Sequence, residues 1–138
     1  MPTAVDDCRL LELRRVDRNV GSITPVEADR DVPFPIARVY YLYDVPGGED
    51  RGGHAHVQLQ QLIVSAMGSF DVELFDGTRR KTVSLNRAYQ GLYIAPGIWR
   101  ELKNFSSGAV CLVLASRPYE EHDYIRDPED YLRRKPAL

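Results

Sequence analysis

The sequence lacks several features that mark specialised classes of protein. Only Cys8 and Cys111 are present among 138 residues, so the chain has neither a disulfide framework nor a CxxC metal or redox motif. No stretch of about 18 apolar residues is available to span a bilayer. The first residues also lack the basic start and apolar run of a signal peptide. We therefore expect a soluble protein of the reducing cytoplasm.

An excess of charge of one sign is also missing. The chain carries 18 basic and 20 acidic side chains, for a formal net charge of -2, and contains no long block of like charge. This balance gives no electrostatic attraction for nucleic acid or acidic membranes, so neither is an expected partner. At this length the chain fits one domain, which we expect to span residues 1–138.

The sequence does contain short apolar segments separated by turn residues, a pattern typical of a β-sandwich or barrel. Two of these segments, 59–66 and the alternating run that ends at Asp76-Gly77, are expected to form a hairpin. Helical character is confined to 128–134, with Asp127 as N-cap and Pro128 at the first helical position. The predicted strands are 36–45, 59–66, 69–77, 81–85, 91–95 and 110–116.

His54 and His56 are the most informative pair in the chain. Residues two apart on a strand share a face, so both imidazoles are expected to point into one cavity. Two neutral rings there suit a metal, whereas a titrating ring suits proton transfer near neutral pH. The histidine pair alone leaves both chemistries open.

Two segments resemble the sequence motifs of cupins. The first, HAHVQLQQLIVSAMG, has the two histidines but places Gln61, or Gln60 on a one-residue shift, where a metal-binding cupin has a carboxylate. The second, GLYIAPGIWRELKN, has Gly97 and Asn104 in place but puts Arg100 where a histidine is expected. Because an amide replaces one ligand and a permanent cation another, we expect no metal.

A narrower resemblance covers the chain from about Leu10 to Leu132. It is carried by VPFPIARVYYLYDVPGGEDRGGHAH, GLYIAPGIWREL, NFSSGAVCLVLAS and YEEHDYIRDPEDYL. These segments are similar to bacterial sugar 3,4-ketoisomerases, the WxcM-like proteins, which act on dTDP-4-keto-6-deoxyglucose. The resemblance implies an all-β cupin fold, a double-stranded β-helix or jelly roll, with a short C-terminal helix. It also implies a homodimer that needs neither metal nor organic cofactor.

The resemblance also implies roles for particular residues. One base moves a proton between C3 and C4 of the sugar through an enediol-like intermediate, and we expect that base to be His56. His54, Tyr41 and Tyr43 are expected to orient the sugar or polarise its oxygens. Arg51 and Arg100 are candidates to bind sugar oxygens or the diphosphate, since guanidinium groups match phosphate geometry. Gln61 and Trp99 complete the expected substrate-binding set.

The chain departs from the family pattern in DRNVGSITPVE. Val20 stands where the family has an active-site arginine, and a buried valine at this position would donate no hydrogen bond. Arg18 would share the face of Val20 on a strand. The Val20 change leaves open a non-catalytic cupin that binds nucleotide sugars, or a related cupin that acts differently on a nucleotide sugar. A further alternative is a metal cupin that uses both histidines with an unrecognised carboxylate.

Overall fold

In a computed structural model that describes residues 2–138, the chain folds into antiparallel β-strands with one short helix near the C-terminus. Helix α1 spans Pro128–Arg134, and single 3₁₀ turns cover Val5–Asp7, Glu121–Asp123 and Lys135–Ala137. The strands are β1 (Arg9–Glu12), β2 (Val16–Arg18), β3 (Gly21–Ile23), β4 (Arg38–Leu42), β5 (Arg51–His56), β6 (Gln61–Met67), β7 (Phe70–Phe75), β8 (Arg80–Leu85), β9 (Gln90–Ile94), β10 (Trp99–Lys103), β11 (Val110–Ala115) and β12 (Tyr124–Ile125).

Two five-stranded sheets enclose the main core. The first has the strand order β1-β9-β6-β11-β4, and the second has the order β12-β5-β10-β7-β8. Side chains such as Ile63 and Val113 from the first sheet pack in one cluster with Val72, Leu74 and Leu102 from the second. Alternation along each strand sends every second side chain into this core. The predicted all-β architecture is therefore confirmed.

The predicted hairpin between the strands before and after Gly68 is wrong. β6 belongs to the first sheet and β7 to the second, so the turn at Gly68 moves the chain from one sheet to the other. Gly68 has φ +73°, and a Cβ there would lie 2.9 Å from Ala109 Cα. Only glycine tolerates both conditions. β7 instead forms a hairpin with β8 around Asp76 and Gly77.

A second apolar cluster covers the outer face of the first sheet. Val32 and Phe34, from the segment between β3 and β4, pack there on Leu62, Val64 and Leu114. The cover does not extend to β4, which lies at the edge of the sheet and leaves Val39 and Tyr41 exposed. Side chains on one face of β4 point between the sheets, and those on the other point outward.

The C-terminal helix agrees with the prediction at both ends. α1 begins at Pro128 and ends at Arg134, and the Asp127 side chain accepts a hydrogen bond from the Glu129 backbone N–H (3.4 Å). Tyr131 in this helix is buried, and its hydroxyl donates to backbone oxygens of Phe75 (3.0 Å) and Gly97 (2.8 Å). The helix therefore closes one side of the second sheet. Within the described residues, no helix is both long and apolar enough to cross a membrane.

Candidate active site

A cavity of about 340 Å³ opens between the two sheets. β4, β6 and β11 contribute one wall, while β5, β10 and β12 contribute the opposite one. The lining residues are Arg38, Tyr40, Leu42, Arg51, His54, Gln61, Ile63, Arg100, Leu102, Val113, Tyr124 and Arg126. Four of them are arginines and none is a carboxylate. Such a cavity attracts an anionic ligand.

Two of these arginines differ in how their charge is compensated. Arg126 forms an ion pair with Glu121 (Nε to Oε1, 2.9 Å). The buried Nε and Nη2 of Arg38 have no hydrogen-bond partner among the described residues, and its guanidinium lies over the rings of Tyr40 and Tyr119. Buried donors are nearly always satisfied in a working protein. Arg38 therefore has donors available for a ligand in the cavity.

Arg100 is buried in the cavity wall, with 1% of its surface exposed. Its Nη1 donates to Gln61 Oε1, and its Nε and Nη2 donate to the Ile98 backbone oxygen (3.2 and 3.0 Å). No described carboxylate is among its partners. Burial lowers the pKa of the guanidinium, but arginine stays protonated in proteins. The cavity wall thus holds a positive charge without a counter-ion.

The Arg100 contact also sets the direction of the next hydrogen bond. Because Gln61 accepts from Arg100 through its carbonyl, its amide Nε2 is free to donate to Tyr40 Oη (3.1 Å). A phenol that accepts this bond still has its own O–H to donate. Tyr40 lines the cavity, so its hydroxyl is available to an oxygen of the ligand.

The two histidines share a face of β5, as predicted, but lie at different depths. His54 lines the cavity, whereas His56 is completely buried at 0% exposure. Their ring centroids are 4.8 Å apart in an edge-to-face arrangement, and the Tyr124 ring contacts both. His56 Nδ1 lies 3.2 Å from Asp123 Oδ2. Of the two imidazoles, His54 is the one that meets the cavity.

His56 is held neutral by its surroundings. Burial lowers its pKa well below the usual value, and the positive charge of Arg100 lowers it further. Since the Asp123 carboxylate can only accept hydrogen bonds, the proton of the neutral ring must lie on Nδ1.

This neutral histidine predicts a loss of stability in mild acid. The unfolded chain binds a proton at His56 near pH 6.5 and the folded chain does not, so stability is full above that pH and falls below it. Between pH 7 and pH 5 we expect His56 to account for a loss of about 2 kcal/mol in the free energy of unfolding. Urea denaturation at both pH values should show this loss in the wild type but not in His56→Asn. A wild type that gains stability on acidification relative to His56→Asn would instead indicate an imidazolium paired with Asp123.

The chain is similar in sequence and in fold to known proteins. The sequence model of the family described as FdtA, WxcM-like, C-terminal, matches residues 6–136. The chain belongs to this family. It is 39% identical over 123 residues to the TDP-4-oxo-6-deoxy-alpha-D-glucose-3,4-oxoisomerase of Aneurinibacillus thermoaerophilus, covering 89% of this chain and 88% of the relative.

Solved structures of the family have the same fold. A 3,4-ketoisomerase from Helicobacter canadensis matches with a TM-score of 0.92 and 42% identity, over 94% of this chain and 98% of that one. The sugar 3,4-ketoisomerase QdtA from Thermoanaerobacterium thermosaccharolyticum, in complex with TDP, matches with a TM-score of 0.94 and 36% identity, over 97% and 98% of the two chains. The cupin fold expected from the resemblance is thereby confirmed.

The structure brings four of the predicted site residues to the cavity wall, namely Arg51, His54, Gln61 and Arg100. Tyr41 and Tyr43 are not among the lining residues. They lie on the outward side of the β4 segment and are exposed, because alternation sends Tyr40 inward instead. The expectation that Tyr41 and Tyr43 contact the substrate within this chain's cavity is corrected to Tyr40.

Trp99 is also outside the cavity. Its ring lies 5.4 Å from that of Tyr131, in a buried cluster with Ala55 and Ile125 beneath α1. Trp99 and Arg100 are neighbours on β10 and therefore point to opposite faces of the second sheet. The substrate-binding role expected for Trp99 is replaced by a packing role.

Four polar residues of the cavity, Arg38, Tyr40, Tyr124 and Arg126, were not selected from the sequence as site residues. The period of two in Arg38, Tyr40 and Leu42 is a signal that would identify the first two. No comparable signal exists for Tyr124 and Arg126, because β12 has only two residues and its place beside β5 is set by tertiary contacts.

Val20 is not buried, contrary to the expectation. It lies in the turn of the β2–β3 hairpin with 98% of its surface exposed, and Arg18 beside it is exposed as well. Neither residue lines the cavity. The position that carries an arginine in the family pattern is therefore outside the cavity of this chain.

The would-be metal-ligand positions have a different use in this fold. Gln61 and Arg100 hydrogen-bond to each other. Within residues 2–138 no group of three or more His, Cys, Asp or Glu side chains is placed to hold a metal ion. A guanidinium in the wall also repels a divalent cation.

Proposed function

We propose that this protein is a sugar 3,4-ketoisomerase that converts TDP-4-keto-6-deoxyglucose to its 3-keto isomer in deoxysugar biosynthesis. The relatives described above are 3,4-oxoisomerases or 3,4-ketoisomerases, and their similarity to this chain supports this activity. The observation that carries it in this chain is a cavity that combines a histidine, a cationic wall and no carboxylate. Substrate and product are isomers, so the reaction requires only proton movements and no redox partner.

The chemistry needs one base and donors for a developing oxyanion. Removal of the C3 proton gives an enediol-like intermediate whose negative charge lies on the C4 oxygen. Return of a proton to C4, with transfer of the O3 proton to O4, leaves a ketone at C3 and a hydroxyl at C4. A single base on one face of the sugar accepts and then returns the carbon-bound proton.

We assign the base to His54 instead of His56, the residue favoured by the sequence motif. A base must come within hydrogen-bond distance of the proton that it removes. His54 lines the cavity, while His56 is completely buried and its Nδ1 is directed to Asp123. The lowered pKa of His56 also makes it a poor proton acceptor. His56 then supports the base and does not touch the sugar.

Arg100 and Tyr40 are suited to stabilise the oxyanion. The cation of Arg100 has no carboxylate partner, and Tyr40 has an O–H left to donate. Preorganised donors of this kind act on charge that develops only in the transition state. Gln61 joins the two groups and fixes their geometry.

The remaining arginines suit the diphosphate of the substrate. Arg38, Arg51 and Arg126 line the same cavity, and planar guanidinium groups form paired hydrogen bonds with phosphate oxygens. The nucleotide part of the proposed substrate is taken from the relatives, since QdtA was solved in complex with TDP.

An assay in heavy water tests the activity. Purified protein is incubated with TDP-4-keto-6-deoxyglucose and a 3-aminotransferase with its amino donor, and the product is analysed by NMR and mass spectrometry. We expect a 3-amino sugar that forms only when both proteins are present. TDP binding without amino product or deuterium uptake at C3 or C4 would favour the non-catalytic alternative and overturn the isomerase.

We further propose that this single cupin domain works as a cytoplasmic homodimer. Exposed apolar side chains on the β2–β3 hairpin (Val16, Val20, Ile23) and on the outer side of β4 (Val39, Tyr41) support a second copy as the partner. Two free, buried cysteines are compatible with a reducing compartment. Light scattering coupled to size exclusion should give twice the chain mass for the wild type and less for Ile23→Lys. A monomeric wild type would contradict the dimer.

A further inference from the structure

We propose that Asp123 is a positioning residue for the base, acting through His56; this inference rests on the proposed isomerase. Asp123 is buried at the end of the 3₁₀ turn Glu121–Asp123. Its carboxylate accepts hydrogen bonds from the backbone N–H groups of Gln58 (2.8 Å) and Leu59 (3.2 Å), and it meets His56 Nδ1 at 3.2 Å. All three partners lie at or just after the end of β5.

The first effect of Asp123 is to select one tautomer of His56. A carboxylate has no proton to donate, so the neutral imidazole must carry its proton on Nδ1. Nε2 is then a bare lone pair, and it has no hydrogen-bond partner among the described residues. A proton at Nε2 would instead be a buried donor without an acceptor, beside the rings of His54 and Tyr124.

The second effect is to attach the wall of the cavity to the strand that carries the base. The Asp123 backbone oxygen accepts from Val57 N–H (3.0 Å), and the next residue, Tyr124, pairs with His56 across β5 and β12. The Tyr124 ring contacts both imidazoles, with centroids 5.1 Å from His54 and 4.3 Å from His56. Asp123 therefore fixes two of the rings against which His54 packs.

Asp123→Asn separates these effects from simple loss of the side chain. The asparagine is nearly isosteric, and its carbonyl can still accept from a backbone N–H. Its NH₂ group, however, would donate to Nδ1 and force the proton of His56 onto Nε2. In serine proteases the equivalent Asp→Asn change gives the catalytic histidine itself the wrong tautomer and is strongly inactivating. The base here is one ring further away, so we expect a smaller effect.

The experiment combines kinetics with ¹⁵N NMR of the imidazoles. For Asp123→Asn we expect kcat to fall about 10- to 100-fold with KM changed less than about threefold, because the displaced group is the base and not the phosphate-binding arginines. The His56 signals should change from the Nδ1–H to the Nε2–H pattern. Glu120→Gln is the matched control, since Glu120 contacts Arg117 and His122 outside the cavity, and it should retain wild-type kcat.

Three results would overturn the proposal. These are an Nε2–H tautomer of His56 in the wild type, an unchanged kcat in Asp123→Asn, and a loss confined to KM. The wild-type tautomer can be measured even if the variant fails to fold. Absence of wild-type turnover would refute the proposed isomerase, whereas the NMR result would still report separately on the contact between Asp123 and His56.

Discussion

Replacing His54 with asparagine should lower kcat by about 10³-fold or more while TDP affinity stays within about threefold. His54 is the histidine that lines the cavity, and both proton transfers of the proposed reaction pass through one base. General bases contribute typically about 10²- to 10⁴-fold. Asparagine has similar size but does not accept a proton, and the arginines that bind the diphosphate are untouched. Deuterium uptake at C3 and C4 should therefore disappear as well.

Rescue by added imidazole distinguishes His54 from His56. Loss of the His54 ring leaves space in an open cavity of about 340 Å³, where free imidazole can enter. Loss of the His56 ring leaves a space that is sealed from solvent, since that residue is completely buried. Imidazole should restore part of the turnover to His54→Asn and none to His56→Asn. Rescue of only the His56 variant would reverse the assignment of the base.

Replacing Arg100 with glutamine should separate activity from stability. We expect kcat to fall about 10²- to 10³-fold, as for removal of an oxyanion donor, because the uncompensated cation of the wall is lost. The melting temperature should stay equal or rise, since a buried charge without a counter-ion is costly to keep. Glutamine still offers an N–H to Gln61 or to the Ile98 carbonyl.

The control for this variant is Arg80→Gln. Arg80 is an exposed arginine of β8 that lies over Phe75, away from the cavity, so its loss should leave kcat unchanged. Thermal unfolding and steady-state kinetics on both variants provide the comparison. A large fall in melting temperature for Arg100→Gln, with kcat retained, would show that the guanidinium serves the fold and not the reaction.

The sequence predicted the shared face of His54 and His56 because a period of two is a local property of one strand. The same rule separates Tyr40 from Tyr41, but which of the two faces the core depends on the pairing of β4 with β11, a strand that is distant in sequence. How deeply each of the two histidines is buried was not predictable from the sequence either. Whether His54 or His56 meets the cavity depends on Asp123 and Tyr124, which approach from more than 60 residues away.

The change of sheet at Gly68 shows a similar limit. Apolar alternation and a nearby turn indicate two consecutive strands but do not identify their partners. Here a Cβ at Gly68 would collide with Ala109 and Ser106, which are distant in sequence, so the need for glycine at this change of sheet comes from tertiary contacts. By contrast, the start and end of α1 follow from Asp127, Pro128 and their neighbours alone, and that prediction was correct.

The cluster of arginines around the cavity has a consequence for the direction of the proposed reaction. The 4-keto and 3-keto sugars carry the same diphosphate and the same net charge, so Arg38, Arg51 and Arg126 grip reactant and product alike. Binding energy that reactant and product share equally leaves the equilibrium between the two bound sugars unchanged, and no catalyst shifts the equilibrium in solution. Net flux must then come from a following step, such as transamination, that withdraws the 3-keto sugar. On this basis the protein interconverts the two keto sugars reversibly, and the enzyme that consumes the 3-keto sugar determines the net direction.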